Sequence, residues 1–158
     1  MADLNISQFL AMRLRNAADA LHAACERMPD ERLLWKPALE GHAGRSALEQ
    51  VCECAYLNQW GAAIFRSHAL VPFDRADYEQ QIQARCSRDA LFWLLEASNA
   101  LAQAVAGFPA GQWGAALTHP LTHQPVSWAE FADFFYWNTV YHEGQVNYIQ
   151  TLYGDRSR

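Results

Sequence analysis

The stretch FFYWNTVYHEGQVNYIQTLYG, Phe134 to Gly154, decides how the chain is read. Counted in helical steps from Phe131, the residues Phe131, Phe134, Phe135, Asn138, Tyr141, His142, Gln145, Tyr148, Ile149 and Leu152 recur at spacings of three and four. That spacing puts them on one face of a helix. Most of the face is apolar or aromatic and reads as the side turned to a core. Asn138, His142 and Gln145 interrupt it, so the segment predicts a long amphipathic helix with polar side chains on its buried side.

Working outward, SWAE just upstream supplies a capping box, Ser127 with Glu130, in which each side chain answers a backbone N–H left free at the helix start. Gly154 and the arginines after it close the helix. Upstream again, GQWGAALTHPLTHQPVSW is rich in turn formers and reads as an extended crossover or a small hairpin. A further helix carries Leu91, Leu94, Leu95, Leu101 and Val105, with Ser87 as its expected N-cap and GFPAG as its stop. Before it, DRADYEQQIQAR is polar and reads as a loop or a short extra turn.

SALE opens another helix with a second capping box, Ser46 and Glu49, expected to run to about residue 68, where HALVPF breaks it. The first helix is expected at about residues 4 to 28, striped by Leu10, Leu14, Ala17, Leu21, Ala24 and Met28 and ended by MPDE. In the loop after it, Leu33, Leu34 and Trp35 are expected to tuck against the rest. Four long amphipathic segments with unequal connections and no strand alternation predict an all-α fold. The expected architecture is an antiparallel four-helix bundle with a long crossover before the last helix, one domain spanning residues 1–158.

Composition narrows the function classes. A chain that is 51% hydrophobic and 13% aromatic is globular in character. Its formal charge of −5, with twelve scattered basic residues, leaves no electrostatic footprint for nucleic acid. No run reaches membrane-spanning length, and Arg13 and Arg15 interrupt the start of the chain in a way no signal peptide tolerates, so a cytoplasmic location is expected. Cys25, Cys52, Cys54 and Cys86 lack a framework-like spacing and read as reduced thiols. Cys52 and Cys54 are two apart, and on a helix that separates them by about 200°, which prevents convergence on one ion. A neighbouring Glu53 also raises a thiol pKa, which argues against either as a nucleophile. No Ser-His-Asp grouping, phosphate loop or dinucleotide fingerprint is present.

Asn138 and His142, four apart, are stacked one turn apart on one face, the spacing two ligands need to reach a common point. Glu53, with Tyr56 and Trp60 at helical spacing, is a second polar residue expected inside; buried without a partner it would be costly, so a cation, water or a donor such as His142 must face it. His22, His42, His68, His119 and His123 are scattered, and THPLTH puts the last two in a flexible connection as satisfied or exposed side chains. The aromatics Trp60, Phe92, Trp93, Phe131, Phe134, Phe135, Tyr136 and Trp137 are read as core. Tyr141 and Tyr148 either offer hydroxyls to a substrate or pack at a helix or dimer interface.

MPDERLLWKPALEGHAGRSALEQVCECAYLNQW and YHEGQVNYIQTLYGD together resemble the DinB-like (damage-inducible) four-helix bundles, which include YfiT-like proteins and bacillithiol- and mycothiol-dependent transferases. The resemblance rests on a Trp-x-Pro loop, a capped second helix and a His-x-Gly-Gln signature, and residues 70 to 125 match only in general character. It implies a divalent metal, nickel or zinc, held in the bundle core by one helix-two His and a His-xxx-His pair. Glu53, Asn138 and His142 stand at those three positions, two of them changed to harder or weaker donors. In that signature Gly144 implies close approach of a neighbouring helix and Gln145 a hydrogen bond inside the bundle. Two readings follow: a metal-assisted thiol-dependent transferase with a remodelled Glu53, Asn138 and His142 site acting on a small-molecule or thiol substrate, or a metal-free, non-catalytic dimeric binding or stress-response module whose polar residues satisfy one another. A homodimer is expected in either case.

Overall fold

The computed structural model describes residues 5–39 and 42–154. Four long helices form a bundle: α1 (Ile6–Glu26), α3 (Ala47–Ser67), α5 (Ala90–Ala106) and α6 (Trp128–Leu152). Between α1 and α3 lie the short α2 (Asp30–Leu33) and a two-residue antiparallel pair, β1 (Ala38–Leu39) with β2 (His42–Ala43). An outer helix, α4 (Arg75–Arg85), joins α3 to α5, and a hairpin of β3 (Ala116–Thr118) and β4 (Pro125–Ser127) leads into α6. Both capping boxes form as the sequence predicts, Ser46 with Glu49 and Ser127 with Glu130. Leu4, where the first helix is expected to begin, and the arginines after Gly154 lie outside the described residues.

The helices make a ring. α1 packs on α5 and α6, and α3 packs on the same two, so α1 faces α3, and α5 faces α6, across the diagonals. Two of the three connections between consecutive long helices therefore cross a diagonal. Those two carry the β-pairs, whereas the connection between the neighbours α3 and α5 carries the helix α4.

Two zones of core fill the ring. One is aromatic: Trp60, Phe65, Phe108, Trp113, Trp128, Phe131 and Phe135 pack largely edge to face, and the Phe65, Phe131 and Phe135 side chains are wholly buried. Gly61 makes this possible, since a Cβ there would lie 2.7 Å from the Phe135 ring. The other zone is mainly aliphatic, with Ala18, Leu21, Val51, Leu94 and Val146 packed among Cys25, Cys52 and Cys54 and with Tyr56 and Trp93 at its margin, and it borders the polar cluster described below.

Several expectations are corrected. DRADYEQQIQAR, read as a loop or extra turn, is the helix α4, capped by Asp74, whose carboxylate accepts from the Ala76 and Asp77 N–H groups. It buries no residue fully, which is why apolar periodicity does not reveal it. Ser87 is not the cap of α5. Asp89 holds that place without a side-chain cap bond, because a turn closed by Ala90 N–H onto Ser87 O occupies the approach. Arg88 in that turn instead donates to the carbonyls of Glu26 and Met28 and to the Asp30 carboxylate, satisfying acceptors left open beyond α1. Leu33 is buried and Trp35 stands half-buried, edge-on to Tyr153, but Leu34 faces solvent. Phe92 and Trp137, read as core, are exposed. No helix among the described residues is long and apolar enough to cross a membrane.

Candidate functional site

Gln50 and Glu53 sit one turn apart on α3, and His142 and Gln145 one turn apart on α6, so the two pairs face each other where these neighbouring helices pack. The His142 ring, 3% exposed, is held on both sides. Its Nε2 lies 3.2 Å from Glu53 Oε1; its Nδ1 lies 2.8 Å from Gln145 Oε1 and 3.1 Å from Gln50 Oε1. A glutamine amide turned about its last bond presents NH2 in place of oxygen, so the ring is held in either tautomer. The expected meeting of Glu53 with His142 is therefore present, and Gln145 makes the inner hydrogen bond that the sequence signature implies.

Glu53 carries more than that one contact. Its Oε2 receives the Arg45 guanidinium at 2.5 Å and the Tyr78 hydroxyl of α4 at 3.1 Å. Burial alone would raise the carboxyl, but the His142 bond and the Arg45 charge outweigh it and hold Glu53 down at about 2. Tyr78 is pushed up to about 12, first by burial and then by the Glu53 charge. Arg45 is anchored in turn by a 3.1 Å bond to the Glu49 carbonyl, while the Glu49 carboxylate is matched by Lys36. Arg45 thus serves Glu53, and the cluster is near neutral as a unit.

Arg45, Gln50 and Tyr78 escaped the sequence reading. Gln50 could have been found from its place three residues before Glu53. Arg45 precedes the helix cap, where helical spacing says nothing about reach, and Tyr78 lies in the segment read as a loop.

The cluster forms the floor of an open cleft of about 960 Å³, whose walls are the outer face of α6: Trp137, Tyr141, Tyr148 and Leu152. These side chains correct the periodic reading. The buried face is turned to one side of the stripe: Tyr141, Tyr148 and Leu152 face outward while Ala132, Thr139 and Val146, off the stripe, are buried. Trp137 and Tyr141 stack with ring centroids 5.3 Å apart and planes 16° apart. Gly144 is open: a Cβ there would meet nothing within 4 Å, so it admits the cleft rather than a neighbouring helix.

Asn138 is buried one turn below His142, yet its Nδ2 donates to Cys54 Sγ at 3.7 Å. Cys25, Cys52 and Cys54 are buried free thiols. Burial above all keeps them protonated, raising Cys25 and Cys52 to about 12 and Cys54 further, with the Glu53 charge a second cause at Cys54. None is a nucleophile in this setting.

The fit to a divalent ion is partial. Two donors about 2.0–2.2 Å from one ion stand roughly 3–3.5 Å apart, and Glu53 Oε1 and His142 Nε2 have that separation. The third expected donor, Asn138, holds Cys54 through its Nδ2, which leaves the amide oxygen that would meet an ion uncommitted, and among the described residues no three His, Cys, Asp or Glu side chains come together for a metal. The second oxygen of Glu53 already bears a cation, Arg45. With the Glu53 charge already answered by Arg45, the floor as arranged does not suit a divalent ion.

The fold defines the class: a four-helix bundle, as the resemblance to DinB-like bundles implies, with two of its three connections crossing a diagonal. It is similar to the solved structure of YfiT from Bacillus subtilis, with a TM-score of 0.74 over 94% of this chain and 87% of that one. That protein is described as "a probable metal-dependent hydrolase with an unusual four-helix bundle topology". The two chains are 17% identical, and the likeness is one of fold. No family model matches the chain, and no curated protein matches it.

Proposed function

We propose that the chain binds a small molecule in the α6 cleft, a ligand with a flat apolar body and a neutral hydrogen-bonding end, and that it does so without a metal. One observation carries this reading: the nitrogens and oxygens of the His142 and Glu53 side chains at the floor already have partners within the protein. The cluster therefore offers a fixed, near-neutral hydrogen-bonding surface and no free base or nucleophile. The walls supply stacking area from Trp137, Tyr141 and Tyr148. A cleft of this size with apolar walls and a few convergent polar groups suits small-molecule binding.

The metal-dependent hydrolysis named for YfiT, like the thiol transfer implied by the DinB-like resemblance, needs an ion at Glu53 and His142. Metal content separates the readings. Protein purified without an affinity tag is expected to carry no stoichiometric nickel or zinc by elemental mass spectrometry, and His142→Ala to be less stable with no change in metal. About one ion per chain, lost in His142→Ala, would defeat the metal-free reading. Binding itself is read with a hydrophobic fluorescent probe such as anilinonaphthalene sulfonate. Its binding is expected to weaken in Trp137→Ala, and binding untouched by that change would place the ligand elsewhere.

A further inference from the structure

The donor separation at Glu53 and His142 suits an ion, yet the pair is closed to one, and the two facts meet at Arg45. We propose that Arg45 is a built-in counter-cation: its guanidinium holds the charge position on Glu53 that a divalent ion would take, and its removal turns Glu53 and His142 into a nickel- or zinc-binding pair. This rests on the metal-free reading above.

Glu53 Oε1 and His142 Nε2 are 3.2 Å apart without any ion between them, so no rearrangement of α3 against α6 is needed to admit one. One donor is an imidazole and the other a carboxylate, a mixed set that suits zinc and nickel, with water completing the shell. The obstacle is charge. The Arg45 side chain is 44% exposed at the cleft rim, bonded to Glu53 Oε2 and anchored on the Glu49 carbonyl. A dication at Oε1 would face that guanidinium across a single carboxylate and raise a near-neutral floor to a net positive one. Lys36 adds to the effect indirectly: it neutralises the Glu49 carboxylate, so no other anion nearby draws Arg45 away.

Direct titration of the full chain with zinc chloride and nickel chloride, read by calorimetry and by the shift in melting temperature, tests this. Wild type is expected to bind either ion too weakly to approach one per chain in the titration. Arg45→Met and Arg45→Gln are expected to bind about one ion per chain, roughly 10- to 100-fold more tightly than wild type, a range typical of changes next to a metal site. Arg45→Lys, which keeps the charge, should still exclude the ion, and Glu53→Gln added to Arg45→Met should abolish the gain. Both Arg45 variants folded by circular dichroism yet binding no ion would overturn the inference. So would a gain that survives Glu53→Gln. Wild type taking up one ion on its own would instead defeat the metal-free reading, so the two failures are distinguishable. The exposed position of Arg45 makes loss of folding in both variants a contrary result too, since it would show the guanidinium holding the bundle together and not the ion out.

Discussion

The two zones of the core are built on opposite principles. At the hairpin end, rings interlock around Phe65 and Phe131, and close approach is bought with Gly61; at the cleft end, alanines, cysteines, leucines and two valines pack beneath a floor of polar side chains. The first zone stabilises by area and shape, which every substitution disturbs. The second gives up packing for a paired polar cluster that keeps a cleft open beside it.

The largest expected effect tests that division in the aromatic zone. Phe135→Ala should cost about 3–5 kcal/mol, because a wholly buried ring leaves a cavity bounded by Trp60, Phe65 and Phe131. Gly61→Ala attacks the same contact from the other side and should cost about 1–3 kcal/mol by overpacking. The pair should be non-additive, since the smaller residue at 135 makes room for the new methyl group. Denaturant melts of the two single variants and the double one check this, and strict additivity would mean that Gly61 and Phe135 do not share a contact.

Glu53→Gln is the matching test in the polar zone. It strips the charge that holds Arg45 and His142, at an expected cost of about 1–3 kcal/mol. The pH dependence follows from the same group. With its folded carboxyl at about 2 against the ordinary 4.5, Glu53 takes up a proton later in the folded chain than in the unfolded one. Its stabilisation is whole above about pH 4.5 and is lost as the pH falls toward 2, about 3 kcal/mol at most. Acid melts of wild type and Glu53→Gln should converge across that window. Parallel curves would show that the carboxylate is not what the cluster is built on.

His119 gives the hairpin end its own, smaller acid signature. The sequence places it in a flexible connection, but it is 4% exposed; its Nδ1 accepts from the Leu121 and Thr122 N–H groups at 3.2 and 3.3 Å. The ring proton therefore sits on Nε2, which has no hydrogen-bond partner among the described residues and stands against the Phe131 and Phe134 rings. Burial holds the group below its ordinary 6.5. The unfolded chain protonates first, so stability is full above about pH 6.5 and falls as the pH drops through the lower folded value. His119→Phe should lose that early slope and cost about 1–2 kcal/mol at neutral pH from two unanswered N–H groups. An unchanged slope between pH 6.5 and 4.5 would assign it to another group.

The bundle was legible because capping boxes and apolar periodicity are local signals, and Ser46, Glu49, Ser127 and Glu130 form the caps their spacing predicts. The Glu53 and His142 contact was legible too, since two polar residues on inward faces of different helices need partners. What escaped was set by tertiary contact alone. Arg45 reaches Glu53 from before the helix, Tyr78 from a helix that hides no apolar stripe, and His119 is buried by rings from α6 that its own segment does not foreshadow. Position on the stripe was the other loss: helical spacing finds a stripe but not its edges, so Tyr141 and Tyr148, read either as hydroxyls for a substrate or as interface packing, were settled as cleft-lining side chains only by the fold.

The two glycines give the smallest and most discriminating contrast. Both lie inside long helices, where glycine costs about 1 kcal/mol against alanine. At Gly61 the cost is offset by the ring it admits. At Gly144 no neighbour lies within 4 Å of a Cβ, so nothing in the fold requires glycine there, and Gly144→Ala should stabilise the chain by roughly 0.5–1 kcal/mol. The new methyl group enters the cleft between Tyr141 and Tyr148, so the same variant should bind the fluorescent probe more weakly than wild type. A more stable protein with a weakened cleft would mean that Gly144 serves the ligand and Gly61 the fold. Destabilisation by Gly144→Ala would break the contrast and show that a helix comes close to α6 there after all.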